Sequence, residues 1–122
     1  MNNPLLAVSI VAVAALSGCA TPGTADQFTW SMECPTTVDR GAEFLFVVRS
    51  ANAAGEPVNG VTYRFQILWT GGSATPLRHY GSTGVDEKVR ARLVAGSAVI
   101  FVTCANREGM DTLVLETTFE VK

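Results

Sequence analysis

From Phe28 to the end of the chain, apolar and polar side chains alternate with a period of two, the spacing of strands buried on one face. The cleanest case is "VTYRFQILW", where Val61, Tyr63, Phe65, Ile67 and Trp69 alternate with Thr62, Arg64, Gln66 and Leu68. In "QFTWSMEC" the same period sets Phe28, Trp30, Met32 and Cys34 against Thr29, Ser31 and Glu33. Ala42 to Ser50 is apolar at both parities until Arg49, as in a central strand, and Ala98 to Cys104 is similar. Val89, Ala91 and Leu93 alternate with Lys88, Arg90 and Arg92, and Thr112 to Val121 gives a last strand. Between these runs lie turn residues: Gly55-Glu56-Pro57, Asn59-Gly60, Gly71-Gly72, Gly81 to Gly84, Ala95-Gly96-Ser97 and Asn106 to Gly109. No helical period interrupts them. The pattern predicts an all-β, antiparallel sandwich of about seven strands over residues 28–122.

The first 25 residues are different, because they hold no charged side chain. Leu5 to Leu16 is apolar apart from Ser9, and as a helix its 12 residues would rise about 18 Å, short of a bilayer core of roughly 30 Å. That length suits the apolar part of a secretory signal rather than a membrane span. The run ends in Leu16-Ser17-Gly18-Cys19, which resembles the lipobox of bacterial lipoproteins. The resemblance implies a signal peptide over 1–18, cleavage before Cys19, and acylation of Cys19, with residues 19–27 as a short tether. Ala20 after the cysteine is similar to lipoproteins sorted to the outer membrane, so the expected place is the bacterial envelope, held by acyl chains. The start, Met1-Asn2-Asn3-Pro4, departs from the pattern in lacking Lys or Arg. An ordinary secretory signal cut near Ser17 or Ala20 is the alternative.

With Cys19 lipidated, Cys34 and Cys104 remain as a pair in an oxidising compartment. A disulfide between them would close about 70 residues and add roughly 4 kcal/mol by chain entropy; two buried free thiols are the other reading. No CxxC occurs and His79 is the sole histidine, so neither a zinc site nor any cofactor is expected.

"VVRSANAAGEPVNGVTYRFQI", Val47 to Ile67, resembles the bacterial Ig-like modules of invasin and intimin type, and "GSAVIFVT", Gly96 to Thr103, is similar to their penultimate strand. The resemblance implies an Ig-like sandwich. Two antibody features are missing: no Trp follows Cys34 closely, and Val102 replaces a corner Tyr.

Catalytic chemistry has few candidates. His79 lies near Ser82 and Asp86, but chain order alone makes no triad, and there is no GxSxG elbow. Net charge is −2, which argues against nucleic acid as a partner. The expected function is therefore non-catalytic: a lipid-anchored binding or structural domain whose partner is an envelope or extracellular protein or a glycan. A periplasmic inhibitor or accessory subunit of an envelope enzyme is the alternative. Candidate contact residues are Trp69, Arg78, His79, Tyr80, Lys88, Arg90 and Arg92, with the Gly-rich segment Thr70 to Asp86 as the favoured loop. Lys88, Arg90 and Arg92 form a basic stripe, whose bland reading is protection of a strand edge.

Overall fold

The computed structural model describes residues 24–71 and 79–122. A 3-10 turn, Ala25–Gln27, leads into eight strands: β1 Thr29–Glu33, β2 Thr37–Val38, β3 Glu43–Ala51, β4 Thr62–Leu68, β5 His79–Ser82, β6 Asp86–Arg90, β7 Gly96–Ala105 and β8 Asp111–Val121. They form two sheets in the orders β1-β3-β6 and β2-β8-β7-β4-β5, packed as a partial sandwich. Arg78 and Cys19 lie outside the described residues.

The period-two pattern locates the core. Val61, Tyr63, Phe65, Ile67 and Trp69 are all 5% exposed or less, and all but Val61 cluster with Phe44, Phe46 and Val48 of β3 across the gap between the sheets. Edge-to-face contacts such as Phe46 on Phe65, 5.1 Å between ring centres, fit the aromatic quadrupoles together. Burying these side chains is the main stabilising term of the domain.

Two features of the sheets differ from the expected antiparallel seven. Pro35 ends β1, and the chain crosses to the other sheet as β2, which pairs in parallel with the end of β8: Thr37 opposite Glu120 and Val38 opposite Val121. The second sheet is therefore mixed. The Thr70 to Asp86 segment also contains a strand, since β5 pairs antiparallel with β4 from Phe65–His79 to Thr62–Ser82. Short strands of two and four residues carry too little periodicity to be read from sequence.

The expected Cys34–Cys104 disulfide is absent: both are free cysteines. The topology explains why. Cys104, near the end of β7, packs with Ala25 and Val61 in a small cluster that Phe28 and Trp30 cover. The start of β1 thus faces the end of β7. Cys34 lies four residues beyond Trp30, about 13 Å along an extended chain, and packs against the larger core instead. A disulfide needs Cα atoms within about 7 Å. The cysteines sit at opposite ends of β1, so parity put them on the core side without putting them together.

One buried polar group ties the sheets. Thr83, fully buried between β5 and β6, accepts from the Val61 amide at 3.0 Å and donates its hydroxyl to the Val58 carbonyl at 2.9 Å. Its own amide donates to Val61 O at 3.0 Å, while the next amide, Gly84, donates to Val48 O at 2.9 Å. Ser50 Oγ also donates to Val58 O, at 2.7 Å. Residues 83 and 84 therefore bond to both sheets where the chain crosses between them. Gly84 has φ +83°, and a Cβ there would collide with the Asn59 side chain.

Thr83→Val, which keeps the shape and removes the hydroxyl, should cost about 1–3 kcal/mol because the Val61 amide loses its partner in a dry site. Thr83→Ser should retain most of the stability; urea unfolding of both variants checks this. Non-reducing mass analysis after alkylation in denaturant should show Cys34 and Cys104 both modified. In the native state Cys34, half-buried, should react before Cys104. Burial raises both thiols above their ordinary pKa, so both reactions should be slow at neutral pH and accelerate as pH rises.

Candidate functional site

The contact residues expected from sequence, Arg78 aside, fall at three separate places. On β6, Lys88 and Arg90 point outward from the three-stranded sheet, opposite Leu45 and Glu43 of β3. Arg90 forms a 3.3 Å ion pair with Glu43 and donates to the Gly41 carbonyl at 2.7 Å. Arg49 of β3 likewise pairs with Glu33 of β1 at 3.2 Å. The basic stripe is thus interleaved with acids across the strands, which suits edge protection better than anion capture. It also stops short: β6 ends at Arg90, and Arg92 belongs to the connection into β7.

Arg92 instead crosses to the second place. Its guanidinium lies over the Trp69 ring, 5.6 Å from the centroid. Trp69, expected among the contact residues, is buried: it is 4% exposed, with Phe119 edge-on at 5.8 Å. The two residues wall a groove of about 500 Å³ together with Arg90, Ala91, Leu93 and Val94. This groove is at the end of the sandwich where β3 begins, opposite the end at which β1 begins.

The third place is β5. Tyr80 points outward, 60% exposed, with Arg64 of β4 over its ring at 5.6 Å. Arg64 is also ion-paired to Asp111 of β8. Around them the outer face of the five-stranded sheet carries apolar side chains: Leu68 and Leu113 are exposed by 38% and 52%, with Val99 and Phe101 half-buried between them. Register places Leu68 opposite Val99, Gln66 opposite Phe101, and Thr103 opposite Leu113. The sequence carries a signal for this face. In β7 both parities are apolar, Val99 and Phe101 as well as Ala98, Ile100 and Val102, so one apolar set had to face outward.

His79 sits on the other side of β5, its ring 5.4 Å from that of Phe65 opposite. Strand alternation turns Ser82, three residues on, to the opposite face, so the two do not form a nucleophile–base pair. What His79 does approach is Glu87, which alternation on β6 directs inward with Val89. Burial holds the Glu87 carboxyl above its ordinary pKa, and His79 offsets part of that rise. Glu87 in turn adds to the burial that raises the Tyr63 hydroxyl far above its usual range. Tyr63 Oη is buried without a hydrogen-bond partner among the described residues, and its ring end rests on Gly81, where a Cβ would collide with it. No group of three or more His, Cys, Asp or Glu suited to a metal occurs among the described residues.

Comparison with known proteins leaves the geometry to stand alone: no protein-family model and no curated protein matches the chain.

Glu87 gives a test of the inward side of this site. A carboxyl whose pKa is raised on folding destabilises the protein at neutral pH and ceases to do so as pH falls below its unfolded value. Glu87→Gln should therefore raise stability at pH 7 by about 0.5 kcal/mol or less, since solvent screens a partly exposed group. The gain should vanish by the pH at which an ordinary carboxylate is protonated. Paired denaturation curves across that range check it.

Proposed function

We propose that this protein is a non-catalytic binding domain held at the bacterial cell envelope by lipid on Cys19. The single observation that carries the binding role is the apolar outer face of the five-stranded sheet. A sheet face turned to water ordinarily reads polar; here Leu68, Val99, Phe101 and Leu113 are neighbours in the register, with Tyr80 beyond Arg64, and such a set is the composition of a contact surface. Exposed Tyr and Arg side by side, as Tyr80 and Arg64 are, also suit such a surface.

The strand order supports an Ig-like reading of the sandwich. A sheet β1-β3-β6 faces a sheet whose centre is β8-β7-β4, and the chain crosses repeatedly between them, as in Greek-key sandwiches. The anchoring role rests on the sequence, with support from the chain's entry point. Ala25 is buried beside Cys104, and its carbonyl accepts from Trp30 Nε1 at 3.0 Å. The Asp26 carboxylate pairs with Arg107 of the β7–β8 turn at 3.2 Å. Part of the expected tether is thus docked on the domain, and a lipid on Cys19 would hold the domain close to its membrane by that end. The partner is an envelope protein or a glycan.

Labelling with radioactive palmitate should mark the wild-type protein and recover it with membranes, and Cys19→Ala should lose both. A photo-crosslinking residue at position 68 should trap a discrete adduct that Leu113→Glu reduces at least about tenfold. An unlabelled wild type ends the anchor, and absence of any adduct ends the binding face. An adduct with an envelope enzyme would make the protein an inhibitor or accessory subunit.

A further inference from the structure

The groove at the end of the sandwich is built separately from the sheet face, and its chemistry is more specific. Three of its features need a common explanation. Leu93 and Val94, adjacent in the β6–β7 connection, are exposed by 76% and 59%, and they form its apolar lip. Two aliphatic side chains side by side in water are unfavourable unless something covers them. Arg90 and Arg92 alternate with the buried Ala91 along the same wall, so two guanidinium groups stand beside that lip. Behind them is Trp69, 4% exposed, whose indole Nε1 has no hydrogen-bond partner among the described residues. An indole N–H is a donor only, and leaving one dry and unpaired is costly.

An apolar wall beside a cationic rim, with the buried indole beneath that rim, fits a ligand with an aliphatic chain and an anionic oxygen-bearing head. We infer that this groove binds a single-chain anionic amphiphile, of the class of a medium-chain fatty carboxylate. The chain lies along Leu93, Val94 and Ala91. The carboxylate meets Arg92, whose guanidinium has five N–H donors and so accommodates an anion beside its contact with Trp69. Arg90, bonded to Glu43 and Gly41, is a fixed part of the wall. Drawing Arg92 toward the anion shifts it relative to the indole, which makes Trp69 the reporter of binding. A groove of about 500 Å³ is within the usual range for small-molecule sites. The inference names a ligand for the binding role proposed above, yet it depends on neither the sheet face nor the lipid on Cys19.

The two tryptophans make the test direct, because Trp30 and Trp69 give two indole N–H resonances and Trp30 is already bonded to Ala25 O. Trp69→Phe assigns its signal by loss. In the full chain, decanoate below its micelle-forming concentration should move the Trp69 resonance saturably and leave that of Trp30 in place. Arg92→Gln, and separately Leu93→Ser with Val94→Ser, should each weaken the titration by about tenfold or more. Both changes lie on exposed loop positions, so the unchanged Trp30 signal reports that the fold survives. Decanol, with the same chain and no charge, should bind as weakly as decanoate does to Arg92→Gln. The inference is overturned if Trp69 does not respond, or if decanol and decanoate act alike. It is equally overturned if Arg92→Gln binds like wild type, or if only phosphatidylglycerol vesicles, and not the free acid, move the signal. Loss of palmitate labelling at Cys19, or of the position 68 adduct, would leave this result untouched.

Discussion

The two sheets are joined at a point where the chain has no strand at all. Thr83 is buried completely, its hydroxyl shared between the Val61 amide and the Val58 carbonyl, and Gly84 beside it reaches the Val48 carbonyl of the facing sheet. Hydrophobic burial is non-directional: it drives Phe44, Phe46 and Val48 against Tyr63, Phe65 and Ile67 but does not choose how one sheet slides over the other. Hydrogen bonds that must be satisfied in a dry interior do choose. The crossings at residues 52–61 and 83–85 meet in one network, and each sheet is registered against the other by it.

That registration decides the chemistry of the core side chains. With β1 starting beside the end of β7, Trp30 rather than Cys34 comes to cover Cys104. Each thiol then makes a weak local bond, Cys34 to Pro35 O and Cys104 to Thr62 O, instead of a covalent one. The domain is therefore held by packing and by its ladder of backbone bonds, with β7 and β8 paired over ten positions as the longest hairpin.

The same frame separates three kinds of surface. On the three-stranded sheet two arginines are paired across strands, Arg49 with Glu33 and Arg90 with Glu43. Exposed pairs of this sort add little stability and mainly deter unwanted strand pairing. On the five-stranded sheet several outward side chains are apolar, Leu68, Val99, Phe101 and Leu113 among them, and at the far end of the sandwich an arginine roofs a buried indole. A binding role is better served by these two surfaces than by the charged one.

The sequence by itself determined the all-β class, the limits of the long strands within a few residues, and the inward set of β4, because a period of two is a local property of the chain. It also marked the basic residues and the exposed Tyr80. It did not determine which strands are neighbours. The parallel pairing of β2 with β8, the separation of Cys34 from Cys104, the burial of Trp69 under Arg92 and the inward turn of Glu87 toward His79 all depend on contacts between distant segments. Parity tells a side chain which face it takes; only the packed sheets decide what waits on that face, because depth along a strand is set by registration across the core and not by the residue's own neighbours in sequence.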